Sequence, residues 1–398
     1  VISSKNKAKE REIMKVLFFH NGSDLYGASR SFLRLNSRLL KDGVSVKAVL
    51  PQSGPLYDAL VTAGVDVSIM APFPIIERSA FKSVGGLIRL IFNTPVSVVK
   101  ILRLMRKCKP DVVHSNLSVL FTPALASRIL RVPHIWHIRE TYAEFGFFWK
   151  VYRRVMAWGA DRIVAVSTPI ADQFSGARRA KAAVIHNGFP RSEFEPVSPE
   201  RIQTFKARFG LQEELLVGLV GRIKFVRKGQ EYLVQAAARL KQEYPGVKYL
   251  LIGSPFPGNE EHLERLQTLI DELGLKGQVI YTGDVEDIKA AYSALDISVL
   301  ASGLPEPFGG VTIESMAMGK PVVGTAIGGT TEQIEDGVTG ILVPPRDPDA
   351  LAVAIARLLE DKDLREQMGK AGRKRFEECF EFEPFYQKMT KVYKEVCK

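Results

Sequence analysis

Cysteine is scarce in this chain: its 398 residues hold only Cys108, Cys379 and Cys397. Three thiols, far apart and odd in number, exclude a disulfide framework and a cysteine-based zinc site, and they fit a reducing compartment. Long uncharged apolar runs are missing too. The best candidate, Ser83 to Met105, is interrupted by Arg89, Asn93, Lys100 and Arg103, so no transmembrane helix is expected. Val1 to Glu12 is polar and charged, with no apolar segment before a small-residue cleavage site. No secretory signal is expected there, and residues 1–13 read as a disordered leader ahead of the first strand. What is present is ordinary for a globular chain: 46% hydrophobic and 25% charged residues, at a length that favours two domains.

The charge is uneven. The chain carries 55 Lys and Arg against 44 Asp and Glu, a net +11. Residues 1–200 account for +14 and residues 201–398 for −3. A basic first half on a slightly acidic second half points to an anionic partner for the first: a membrane surface, a phosphorylated acceptor or a nucleic acid.

Short β-branched runs alternate with helical stretches along the whole length. Met14 to Phe19 reads as a buried parallel strand, Ala28 to Leu40 has helical spacing, and Val44 to Leu50 is the next strand. The rhythm continues to Val184–His186, breaks in a Pro-punctuated polar segment, and restarts at Leu215–Val220. The expected organisation is an N-terminal domain over 1–190, a linker over 191–205 and a second domain over 206–380. A C-terminal helix, 381–398, is expected to pack back on the first domain. Alternating strands and helices give parallel sheets covered on both faces, so the expected fold class is α/β, with two Rossmann-like doubly wound domains facing across a cleft.

Two segments of the second half carry chemistry. In Leu304 to Thr325 (LPEPFGGVTIESMAMGKPVVGT), Glu306 sits in a loop and Glu314 about a turn inside the helix that follows. The amides of Phe308, Gly309 and Gly310 are then free at a helix N-terminus, which suits phosphate, and the glycines let a ligand approach the backbone. An ionised carboxylate only accepts hydrogen bonds, so it suits sugar or ribose hydroxyls. The other segment, Gly221 to Gly229, places Arg222, Lys224, Arg227 and Lys228 directly after a strand. Such cations are ordinarily solvated surface, yet at the carboxyl end of a parallel strand they can clamp a diphosphate.

Together these segments resemble the glycosyl transferases group 1 domain, family 4 of the retaining glycosyltransferases with the GT-B fold. The resemblance runs from Gly221-Arg222 and Lys228-Gly229 through Leu251-Ile252-Gly253, Thr282-Gly283, Glu306-Pro307-Phe308-Gly309 and Glu314. It continues to Pro321-Val322-Val323, Gly328-Gly329, Asp336-Gly337, Gly340 and Leu342-Val343-Pro344. It covers roughly 211–376; the first half matches more loosely, with Asn21 to Gly27 in place of a paired-glycine loop and His137-Ile138-Arg139-Glu140 in place of a His-Gly loop. The resemblance implies a nucleoside diphosphate sugar, UDP- or GDP-linked, as donor and a glycan, lipid-linked or small-molecule hydroxyl as acceptor, with no cofactor and no metal required. It implies Arg222 and Lys228 on the diphosphate, Glu314 on the ribose and Glu306 on the donor sugar. Val285 would lie on the base, His137 near the transferred sugar, and Gly22 and Gly27 at the diphosphate and acceptor. Bacterial surface polysaccharide or lipid-linked glycan synthesis in the cytoplasm is the implied setting.

Weaker signals have plainer explanations. His134 and His137 lack a companion carboxylate motif for a metal. Asp347-Pro348-Asp349 and Asp361-Lys362-Asp363 read as helix caps. The aromatic, basic stretch Glu144 to Arg154 and the segment Lys82 to Lys109 read first as core-facing helices, and as the alternative as a surface for peripheral contact with anionic lipid at the inner face of the membrane. No recognition helix, zinc motif or RNA-binding aromatic signature supports nucleic acid. The rival readings are a nucleotide-sugar epimerase on the same fold and a basic nucleic-acid- or membrane-binding protein without catalysis.

Overall fold

The computed structural model describes residues 13–73, 75, 76, 83–142 and 146–397. The expected leader, Ile13 apart, and Lys82, Glu144 and Phe145 lie outside the described residues. The chain divides into two compact units. The first runs to Ala165 and takes in Gln173–Val184 and the tail from Lys388; the second holds Val166–Asp172 and Ile185–Gln387.

The first unit is built as β1 (Lys15–Phe19), α1 (Gly27–Lys41), β2 (Ser45–Leu50), α2 (Pro55–Thr62), β3 (Asp66–Ile69), α3 (Val84–Cys108), β4 (Val112–Asn116), α4 (Thr122–Leu130), β5 (His134–Ile138), α5 (Gly146–Gly159), β6 (Arg162–Ala165) and β7 (Ala182–Val184). Its seven strands lie in the order β3-β2-β1-β4-β5-β6-β7, and every pairing is parallel. β1 is buried on both faces, which is why it reads as a continuous apolar run. Leu17, Phe19 and Val113 pack towards Ile101 and Met105 of α3, while Phe18 meets Phe32 of α1 and Tyr393 from the tail. Each such fully buried side chain contributes about 1.5–3 kcal/mol.

α3 departs from expectation. The stretch judged too charged to span a membrane forms one helix of 25 residues, long and apolar enough to do so by length and composition, with mean hydropathy 1.4 in its best window. Its charges gather near the C-terminal end, at Arg103, Arg106 and Lys107, which leaves the preceding turns almost free of them. Ser83 caps the helix by accepting from the Gly86 amide at 3.0 Å.

The second unit contains α6 (Pro199–Arg208), β8 (Leu216–Val220), α7 (Gln230–Leu240), β9 (Lys248–Ile252), α8 (Glu261–Glu272), β10 (Val279–Gly283), α9 (Ile288–Ala294), β11 (Ile297–Leu300), α10 (Gly310–Ala317), β12 (Val322–Thr325), β13 (Gly340–Val343), α11 (Pro348–Glu360) and α12 (Lys362–Arg375). A last helix, α13 (Phe382–Val396), begins in this unit. Six parallel strands follow the order β10-β9-β8-β11-β12-β13. The core lies between this sheet and α7 and α11, around Val217, Leu219, Leu251, Val299, Leu233 and Ile355. Asp347 caps α11 by accepting from the Asp349 and Ala350 amides, and Asp361 caps α12 through Leu364, as the sequence suggested.

Candidate donor site

Both sheets change direction between two central strands, β1 and β4 in the first unit and β8 and β11 in the second. Open α/β sheets bind ligands beyond the carboxyl ends of the strands at such a point. In the second unit, the loop after β8 carries Arg222 and Lys228, and the loop after β11 carries Glu306. The topology therefore brings together residues 78 positions apart: Lys228 Nζ lies 2.6 Å from Glu306 Oε1, a half-buried ion pair. Ser302 Oγ donates to the same carboxylate oxygen at 2.9 Å.

Arg222, at the start of the loop, has different neighbours. Its guanidinium lies 4.9 Å from the centre of the Phe256 ring and 3.6 Å from the exposed carboxylate of Asp284. Glu314 occupies the fifth position of α10, where the hydroxyl of buried Tyr292 donates to its Oε2 at 2.8 Å. The N-terminus of α10 has no side-chain cap and no acidic residue in its first turn, and the Thr312 hydroxyl beside it is buried without a partner. Phe308, Gly309 and Gly310 thus end in amides that can hold an anion. Val285 is half-buried in the loop after β10 and packs, as Val220 and Val311 do, against a buried cluster that includes Leu216 and Tyr292.

The cation loop is held from beneath. Gln230, fully buried, donates from Nε2 to the Arg222 carbonyl at 2.9 Å and accepts from the Lys224 amide at 3.3 Å. Glu231 accepts from the Val226 amide, and Gly303 donates to the Val226 carbonyl at 2.8 Å. Val226 has φ +62°, a conformation costly for a β-branched residue, so these bonds hold strain at the loop's midpoint. Gly229 closes the loop with φ +72°, and a Cβ there would sit 1.8 Å from the Ala301 carbonyl oxygen. Gly229→Ala is therefore expected to destabilise the second unit by about 3 kcal/mol or more. A thermal melt followed by circular dichroism checks it; an unchanged melting temperature contradicts the packing described.

The first unit has its own polar cluster at its switch point. Asn116, at the end of β4, receives Arg139 Nε on its Oδ1 at 3.0 Å, and Arg139 also donates to Ser31 Oγ at 3.0 Å. His20, directly after β1, lies 3.0 Å from both Asn116 Nδ2 and Ser29 Oγ. Gly22 is in this loop, where a Cβ would come within 3.1 Å of His20, and Gly27 opens α1. Burial lowers the Arg139 guanidinium to about 10 and raises the Glu140 carboxyl, which accepts from Ser118 Oγ at 2.6 Å.

His137 was expected beyond a strand; it lies inside β5, fully buried, with neither ring nitrogen bonded. Because the strand runs through Ile138, the first polar side chain past its end is Arg139. Sequence reasoning missed Arg139, Phe256, Tyr292, Gln230 and Glu231. None belongs to a spacing motif. Gln230 and Glu231 carried one usable signal: they directly follow the loop glycine at the start of a helix. Among the described residues, no group of three His, Cys, Asp or Glu side chains could hold a metal ion.

Comparison with known proteins gives the family and the fold. The Glycosyl transferases group 1 family matches residues 201–375, and Glycosyltransferase Family 4 matches residues 26–193. The chain is 30% identical over 297 residues to alpha-D-kanosaminyltransferase of Streptomyces kanamyceticus, covering 69% of this chain and 75% of that protein. It is 28% identical over 302 residues to an uncharacterized glycosyltransferase of Methanocaldococcus jannaschii, covering 72% and 75%. Among solved structures, Anabaena HepE in complex with UDP superposes with a TM-score of 0.82 at 26% identity, covering 96% of this chain and all of that one. The same protein in complex with UDP-glucose gives 0.82 at 25% identity over the same 96% of this chain and 100% of that one. The chain belongs to the glycosyl transferases group 1 family and is a glycosyltransferase of the GT-B fold.

Proposed function

We propose that the enzyme moves a sugar, with retention of anomeric configuration, from a UDP- or GDP-sugar to a hydroxyl acceptor. The observation that carries the donor assignment is the Lys228–Glu306 pair, 2.6 Å apart beside the uncapped N-terminus of α10. In this reading Arg222, Lys228 and the amides of Phe308, Gly309 and Gly310 take the diphosphate. Glu314 accepts from ribose hydroxyls, Glu306 orients the donor sugar, and Val285 packs on the base. The relative that binds UDP and UDP-glucose favours a uracil base.

The chemistry follows from these groups. As the bond from C1 to the diphosphate oxygen breaks, negative charge grows on that oxygen. Two fixed cations and a helix N-terminus meet that charge without a metal. The acceptor oxygen forms its bond to C1 on the same face, and its proton passes to the departing phosphate oxygen. No protein nucleophile is needed. The acceptor is carried on a glycan or lipid, in cytoplasmic assembly of surface polysaccharide or lipid-linked glycan.

The test is a panel of UDP- and GDP-sugars with the enzyme, in magnesium and in chelator, with nucleotide release followed and the first-formed anomer read by proton NMR. One nucleotide released in both conditions, with the donor's anomeric configuration kept in the product, is the expected result. An inverted product ends the retaining assignment. An altered nucleotide sugar with no transfer favours an epimerase.

A further inference from the structure

The surface formed by α3, α4 and α5 is the feature that donor chemistry leaves unexplained. These helices pack side by side on one face of the first sheet, α3 against α4 and α4 against α5. Val84, Ile88, Ile91, Phe92, Val96 and Val99 are all exposed on α3. Their spacing of four, three, one, four and three places them on one stripe. Val84 is 77% exposed, Ile91 60% and Phe92 70%. Ile129 of α4 and Val151, Val155 and Trp158 of α5 extend the apolar exposure. A folded chain seldom leaves so much apolar surface uncovered without a partner for it.

The charge on these helices has one sign. α3 carries Arg89, Lys100, Arg103, Arg106 and Lys107, α4 carries Arg128, and α5 carries Lys150, Arg153 and Arg154. None of the three helices contains an Asp or a Glu. At 100° per residue, Arg89, Lys100, Arg103 and Lys107 line one flank of the apolar stripe. The opposite side of α3 is built into the domain: Ile101 and Met105 are buried in the core, and the Ser97 hydroxyl bonds that of Thr122 at 3.2 Å.

We infer that α3, with the outer side of α5, docks the enzyme on an anionic lipid bilayer, lying in the interface rather than crossing it. An aliphatic stripe edged by cations fits acyl chains bordered by anionic headgroups. Crossing would strip Ser97, Ile101 and Met105 from the core. A second copy of the chain is a poor occupant, because a two-fold contact would set this cationic face against itself. A nucleic acid would answer the charge and leave the aliphatic stripe in water. The inference uses the first unit alone and does not depend on the donor assignment.

Sedimentation of the full chain with phosphatidylcholine vesicles and with vesicles that also hold phosphatidylglycerol tests it. Binding is expected to the anionic vesicles alone and to weaken as salt rises. Ile91→Glu combined with Phe92→Glu is expected to lower vesicle affinity about tenfold or more. Arg89→Gln and Arg103→Gln should each lower it about fivefold. Trp158 is the most exposed of the three tryptophans, so its emission should shift to the blue on binding. The far-ultraviolet circular dichroism melt of the same variants serves as the folding control and should not change. Three results overturn the inference. One is equal binding by the double Glu variant. Another is a dimer that this variant abolishes, with no vesicle binding by the parent. The third is association that resists alkaline extraction, as a spanning helix would.

Discussion

Replacing Lys228 with alanine is expected to lower the rate of sugar transfer by about two to three orders of magnitude, the range seen when a preorganised group that meets developing charge is removed. Two losses combine in this variant. In the proposed donor mode the cation facing the departing diphosphate is gone, and Glu306 keeps only the Ser302 hydroxyl of its two side-chain partners here. An unpaired carboxylate next to an incoming diphosphate repels it, so the Michaelis constant should rise as well. Glu306→Gln removes that charge. Combined with Lys228→Ala, it should cost much less than the product of the two single effects, because the groups act as one unit. Steady-state kinetics on the four proteins check this. Independent, multiplicative losses would show that the 2.6 Å pair has no part in transfer.

The second large effect concerns acid. Four of the six histidines, His20, His114, His134 and His137, are fully buried in the first unit. Burial pushes His20 down to about 4 and His134 to about 3, and holds His114 and His137 well below the usual imidazole range. The unfolded chain takes up protons at these sites near pH 6.5, whereas the folded unit does not. Their contribution is therefore complete above about pH 6.5 and is lost as the pH falls towards the folded values. By pH 4 the loss is about 3 kcal/mol for His20 alone. That is a large share of a typical stability of about 5–15 kcal/mol. The first unit is thus expected to unfold between about pH 6 and 4, ahead of the second. All three tryptophans, Trp136, Trp149 and Trp158, lie in the first unit, so their fluorescence reports it alone, against circular dichroism for the whole chain. Coincident acid transitions by both probes would contradict this. His137→Val removes two unbonded buried nitrogens; it should shift the transition to lower pH and leave turnover within about threefold.

Much of this was legible in the sequence because strand and loop identities follow local rules. A buried parallel strand reads as an apolar run, and the loops after β8 and β11 announce themselves by glycines beside charge. Arg222, Lys228, Glu306 and Glu314 could be named for that reason. Their mutual placement could not, since it follows from a strand order that sets β8 against β11 across many intervening residues. Tyr292 and Phe256 orient Glu314 and Arg222 from elements whose sequences show only ordinary helix and loop. His137 was expected in the loop beyond β5; the strand runs one residue further, to Ile138, so its imidazole is buried in the sheet beside Asn116 instead of being carried on the loop. On α3, counting charges over the whole helix concealed their clustering near one end. Their angular positions, with Arg89, Lys100, Arg103 and Lys107 on one flank, leave an apolar stripe beside them.

The most direct measurement is a calorimetric titration of the full chain with UDP, GDP and ADP, with and without magnesium, repeated on Arg222→Ala and Glu314→Ala. The donor-site account predicts that one nucleotide binds equally well in both conditions. It also predicts that each substitution weakens that binding at least about tenfold, as loss of a charge-assisted contact of about 1.5–3 kcal/mol requires. No binding of any nucleotide by a folded protein, or binding indifferent to both substitutions, would contradict it.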